Sequence, residues 1–358
     1  MAHMSIGTLD TVLPDAIPSE HLIANWASEQ PLWVAALNRE SSDPEVGSNF
    51  AIANALKDAI ARIPFSCQLI EDANGQPDDL AHDAFFHVRR VKPDSPAIFV
   101  RAILFARLVF LDDVASEAVT INHDHLDLID RGFADLLSCL QGGGLKGLPS
   151  VTTWQLRGET CNAMQRWIRG HVIFAALTQG LILSFRAMGH AFRAGNVQQI
   201  HKWADLSISL LRASGAAFVF TGDFPPGEYE GTIRPSMTPP ISPIGLSGLM
   251  SVDHRYLAQT IRDMRPVLKA LADHEPDRHD HIAAAISGVY DSHIHVCERF
   301  VGARPSILTA GRTDRSGPSL IEQFKTLRLK PFEHTQRALR LTNDHEPSVI
   351  VECPFKRG

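Results

Sequence analysis

Apolar residues recur along this chain at intervals of three and four rather than two, so the pattern predicts helices almost throughout. Trp26 to Leu37 predicts a short amphipathic helix. Phe50 to Ile63 predicts a better one, with Phe50, Ala53, Leu56 and Ile60 along one side. Ala97 to Ala118 is apolar on every side and reads as a buried helix opened by a turn at Pro93 and Pro96. Asp127 to Leu140 follows and is stopped by Gly142, Gly143 and Gly144. These glycines lack the GK[ST] of a phosphate loop, which rejects nucleotide binding there. Gly158 to Arg193 predicts one or two long helices, Val197 to Phe220 another, and Ser251 to Ala272 and His281 to Val301 two more. Thr221 to Gly248 differs: Pro225, Pro226, Pro235, Pro239, Pro240 and Pro243 interrupt it, so residues 221–248 are expected to form a long loop, a candidate lid. Residues 302–358, rich in Pro, Gly and Arg, are expected to wrap irregularly over the body. No strand-like segments alternate with the helices, which excludes an α/β fold, and no internal repeat is visible. The fold class is therefore expected to be all-α, with 1–358 a single helical domain and Met1 to Met4 set aside as a cloning remnant.

Composition narrows the function classes. A chain of 358 residues, 44% hydrophobic and 21% charged, is long enough to bury a large core. The net charge of −6 argues against a general nucleic-acid or anionic-membrane surface. No uninterrupted apolar stretch reaches the length of a membrane span, and MAHMSIGTLD shows no basic region followed by an apolar one, so a secretory signal is not expected. The cysteines (Cys67, Cys139, Cys161, Cys297 and Cys353) are odd in number and widely spaced, without CxxC or CxxCH. That argues against a disulfide framework or a zinc knuckle and leads to the expectation of a reducing cytoplasm.

The informative segment is IAAAISGVYDSHIHVCERFVG, Ile282 to Gly302. On a helical wheel Ile282, Ile286, Val289, His293, Val296, Cys297 and Phe300 form one apolar stripe, and His295 points away. His293 and Cys297, four apart, place their Cβ atoms roughly 5–6 Å from each other. That suits an imidazole on a heme iron and a thiol at the porphyrin edge. A satisfied core histidine beside a buried cysteine gives the same pattern. A second stripe, His254, Leu257, Ile261, Met264, Leu268 and Leu271, follows Ser251, a good N-cap. His254 thus sits in a first turn, where the helix dipole favours a neutral, ligating imidazole.

The order His254, a long gap, then His293-x-x-x-Cys297 resembles the histidine-ligated heme-dependent aromatic oxygenases, which include tryptophan 2,3-dioxygenase and a bacterial tyrosine hydroxylase. It is most similar to the members that hydroxylate 3-methyl-L-tyrosine in saframycin-type antibiotic biosynthesis. The resemblance is specific over His254 to Cys297. It implies a helical fold like that of tryptophan 2,3-dioxygenase, a heme with His293 as proximal ligand, His254 as distal ligand, and one thioether link to Cys297. It implies hydroxylation of 3-methyl-L-tyrosine to 3-hydroxy-5-methyl-L-tyrosine by hydrogen peroxide, with displacement of His254 freeing an acid/base, and a homodimer. A heme dioxygenase acting on an indole, and a non-enzymatic heme-binding helical protein, remain as alternatives.

Other residues are candidates for the substrate. In DDLAHDAFFHVRR, a helix would let Asp83 orient His87 as a base for the phenol, and His82 lies in the same segment. Arg157 and Glu159, near Trp154, Arg166 and Trp167, offer a cation and an anion for the carboxylate and ammonium of an amino acid. The pairs His123/His125 and His279/His281 stand in helical or loop contexts, where alternate residues diverge, and are expected at the surface.

Overall fold

The computed structural model describes residues 7–38, 47–66, 68–70, 77–242, 246, 251–302, 304 and 316–333. Its regular elements are helical, apart from a two-stranded parallel pair, β1 (Leu9–Thr11) with β2 (Val88–Arg90). The helices before the site are α1 (Glu20–Glu29), α2 (Pro31–Leu37), α3 (Asn49–Arg62), α4 (Pro77–Phe85), α5 (Pro96–Ser116) and α6 (His123–Leu140). The body consists of α7 (Ala163–Arg193) and α8 (Val197–Thr221), followed by the short turns α9 (Pro226–Glu228) and α10 (Arg234–Ser236). It is completed by α11 (Val252–Asp263), α12 (Arg265–His274), α13 (Pro276–Phe300) and α14 (Gly317–Leu329).

The all-α expectation holds, and most departures from the predicted boundaries trace to proline. Pro31 lacks an N–H and splits the segment predicted as Trp26–Leu37 into α1 and α2. Pro266 likewise separates α11 from α12 within one continuous apolar face. Pro276 opens α13 five residues before the predicted start, because proline is at home in a first turn. Ser251 is placed as the cap of α11 but makes no side-chain capping bond. The Pro-rich stretch is not a plain loop: α9, a π-helical turn at Tyr229–Ile233 and α10 order its first part, burying Tyr229 and Ile233. Residues 243–245, 247 and 248 of the candidate lid lie outside the described residues. Within the predicted irregular tail, Gly317–Leu329 is a helix capped by Ser316, and the rest of the wrap mostly lies outside the described residues.

Helix α5 is buried on all faces, and α7 and α8 pack along their whole length against each other. Contrary to the sequence expectation, α7 is by length and hydropathy long enough to cross a membrane; 78% of its most apolar window is buried inside the fold. At Gly132 and Gly170 a Cβ would collide with Ala213 and Thr221, so glycine permits the close approach of α6 and α7 to α8. Buried charge pins these helices. Arg166, fully buried, pairs with Asp113 of α5 and reaches Asp223 at 3.5 Å, while Arg169 meets Asp113 at 2.7 Å. Arg107 meets Asp130 at 2.8 Å.

Candidate functional site

A cavity opens where α7, α8, α11, α13 and α14 meet the end of α4 and the π-helical turn. Its atom-free space, open solvent included, is about 1920 Å³. The wall is mostly aromatic and aliphatic, with His82, His171, His254, His293 and Cys297 facing in.

Helix α13 is laid down as its stripe predicts. Ile282, Ile286, Val296 and Phe300 are buried, Val289, His293 and Cys297 line the cavity, and His295 is exposed. The His293 ring stacks on Phe218 of α8, with centroids 4.4 Å apart and planes 13° from parallel. His254, in the first turn of α11, faces the same cavity. Burial pushes both imidazoles down to about 4; Arg328, His293 and Arg255 add to the effect on His254. Neither ring has a hydrogen-bond partner among the described residues. Burial pushes the Cys297 thiol up to about 11, so at neutral pH it carries its proton and does not compete as a thiolate for metal.

This donor set could hold the metal of a flat, largely apolar cofactor. Two neutral imidazoles, with no hydrogen-bond partner among the described residues, face an apolar cavity, with a protonated thiol one turn from one of them. Among the described residues, no three His, Cys, Asp or Glu side chains gather as a cage for a bare ion.

The base expected at His87 is not where the sequence put it. α4 ends at Phe85, and His87 takes a positive φ of 54° in the turn into β2, away from the cavity lining. Asp83 does not orient it: its carboxylate accepts from Arg90 at 2.7 and 3.1 Å, and although burial raises its pKa, His82 and the Arg90 guanidinium together hold it below the usual carboxylate range. The residue turned inward is His82, only 5% exposed, with both ring nitrogens unpartnered and Nδ1 3.6 Å from Asp83. Its ring tilts against Phe86, which stacks on His171 at 3.8 Å. The available signal was that His82 and Phe86 are four apart; the helix end that separates them from His87 was not marked by Gly or Pro.

Arg157 and Glu159 are also misplaced as substrate contacts. Both are exposed in the irregular segment before α7; Arg157 lies over the Phe50 ring at 4.1 Å, and neither lines the cavity. Arg166 is a buried structural cation, and only Trp167 of that group reaches the cavity. His123 and His281 are exposed as expected and His125 is half-buried, but His279 is buried against Phe332 because α13 begins early and turns it inward. His171, unnoticed within its apolar run, lines the cavity. Its Nδ1 lies 2.7 Å from the Trp167 carbonyl, and burial pushes it down to about 3.

The profile of one protein family, described as SfmD 3-methyl-L-tyrosine peroxygenase, matches residues 10–280. The chain belongs to this family. The match includes His82 and His254 and stops before His293 and Cys297. The 3-methyl-L-tyrosine peroxygenase of Streptomyces lavendulae is 34% identical over 169 residues, 47% of this chain and 46% of that protein. The alignment therefore spans about half the length of that relative. A solved structure, reduced SfmD soaked with sodium hydrosulfite, superposes with a TM-score of 0.68 over 82% of this chain and 98% of that one, at 23% identity. That likeness shows a shared fold.

The neutral histidines carry a pH prediction. An unfolded imidazole takes a proton near pH 6.5, whereas His171, His254 and His293 in the folded chain take none until about pH 4 or below. Between those values the unfolded state binds more protons, so the contribution is intact above about 6.5 and is lost as pH falls toward 4. Urea midpoints across that range should fall with acidification, and His171→Gln should flatten the slope. An unchanged slope would mean that the ring is not held neutral.

Proposed function

We propose that the chain is a heme-dependent peroxygenase that hydroxylates 3-methyl-L-tyrosine to 3-hydroxy-5-methyl-L-tyrosine. Hydrogen peroxide supplies the oxygen and leaves as water. The observation that carries the reading is the pair of neutral imidazoles, His254 and His293, without hydrogen-bond partners among the described residues and with the Cys297 thiol one turn on, facing one apolar cavity. The family and the name of the Streptomyces relative support the substrate and the oxidant.

In this reading His293 would hold the heme iron, with its ring stacked on Phe218. Heme, when bound, supplies the redox chemistry that peroxide alone performs too slowly on a phenol ring. Cys297 would anchor the porphyrin by adding its S–H across a vinyl double bond: a carbon–sulfur bond forms, the proton and electron pair go to the other vinyl carbon, and no oxidant is consumed. His254 would be the second imidazole holding heme; it sits in a first turn beside the Pro-rich segment, whereas His293 stands one turn from Cys297. A free His254 imidazole would move a proton at the peroxide oxygens. His82, backed by Asp83, takes the phenol proton, the role the sequence assigned to His87.

An intact mass of the denatured protein with a heme stain tests the reading. Heme is expected to stay on the chain and to be lost in Cys297→Ala. Heme that dissociates from the wild type would remove the thioether, and a colourless protein would remove the whole reading. Full peroxide-driven turnover in His254→Ala would remove its acid/base role.

A further inference from the structure

The charged residues lining the cavity are Asp83, Asp253, Arg90 and Arg328. Three of them close on one another. Arg90 donates through Nε and Nη2 to Asp83 at 2.7 and 3.1 Å, through Nη2 and Nη1 to Asp253 at 2.7 and 3.3 Å, and through Nη1 to the Val12 carbonyl at 3.0 Å. Gln179 completes Asp253 at 3.1 Å. That guanidinium is fully engaged and cannot receive a guest.

Arg328 stands differently. It projects from α14, which packs on α13 and contributes Gly317, Leu320, Ile321 and Arg328 to the cavity wall. It hydrogen-bonds the Tyr290 hydroxyl of α13, and its charge acts on His254 across the cavity. No described carboxylate lies within ion-pair distance of it. A half-buried guanidinium facing an apolar cavity without a counter-charge is costly, and a carboxylate entering from solvent would offset that cost through the paired donors of the fork.

We propose that Arg328 is the carboxylate-binding residue of this cavity, with Tyr290 holding its guanidinium in place. The inference builds on the proposed function, because that reading brings two carboxylate carriers to the cavity: the porphyrin propionates and the α-carboxylate of the amino-acid substrate. Arg328 lies beyond the family match, on a helix the sequence pattern did not single out.

The test compares heme-loaded wild type with Arg328→Gln and Arg328→Lys. Resonance Raman spectra report the propionate bending band. Equilibrium titrations compare 3-methyl-L-tyrosine with 3-methyltyramine, its decarboxylated amine. A shifted propionate band in Arg328→Gln with an unchanged acid-to-amine preference assigns the propionate. A preference of about 10- to 100-fold for the acid that collapses in Arg328→Gln and survives in part in Arg328→Lys assigns the substrate carboxylate. If Arg328→Gln moves neither, the proposal is wrong. Absence of any heme band would instead defeat the heme reading, while fluorescence titration would still decide the substrate arm.

Discussion

His82→Asn is expected to lower turnover of the phenol by about 10²–10⁴-fold, the range a positioned base contributes, while His87→Asn leaves it nearly unchanged. Helix α4 delivers only His82 to the cavity; His87 has already turned off into β2 through its positive φ. A histidine 95% buried with two unpartnered ring nitrogens is a large desolvation cost unless something in the cavity accepts or donates to it. Asp83, fixed by Arg90, is placed to stabilise the imidazolium that forms when His82 takes a proton. Initial rates at saturating peroxide for the two variants decide the matter. Wild-type turnover in His82→Asn, or a large loss in His87→Asn, would return the role to the residue named from the sequence.

Arg166→Leu is expected to cost about 3–5 kcal/mol of folding stability, the usual penalty for removing one partner from a buried ion cluster. Arg166 is fully buried, stands between Asp113 and Asp223, donates to the Ala118 carbonyl at 3.0 Å and lies over the Phe220 ring at 4.5 Å. Its removal leaves two carboxylates with less countercharge in a site without water access. Arg169 still reaches Asp113, so Asp223 suffers most, although Thr120 continues to donate to it. Because Trp167, Gly170 and His171 follow on the same helix, the loss should also loosen the cavity wall. Urea unfolding measures the change, and a cost below about 1 kcal/mol would show that the cluster is solvated.

The helices and the inward stripe of α13 were legible from the sequence because they depend on a local period. Burial follows 3.6-residue spacing, so Ile282 to Phe300 announced which side faces the core, and His293 and Cys297 came with it. His254 was legible for the same reason, through Leu257 and Ile261 behind it. Where the local signal failed, the deciding contacts are long-range. His82 faces the cavity because β2 pairs with β1, 79 residues away in register at Leu9 and Val88, and that pairing ends α4 at Phe85. Arg157 looked like a substrate cation because charge at a position says nothing about which way the chain runs past it; it lies outside on Phe50. Arg328 was invisible for the opposite reason: a Pro- and Gly-rich approach concealed a helix whose docking on α13 alone gives that arginine a cavity to face. The sequence by itself determined the helices, their buried faces and three residues of the site, since those follow from periodicity. The tertiary structure decided which histidine of α4 faces the cavity and which arginine meets it without a described carboxylate beside it, because those depend on contacts between segments far apart in the chain.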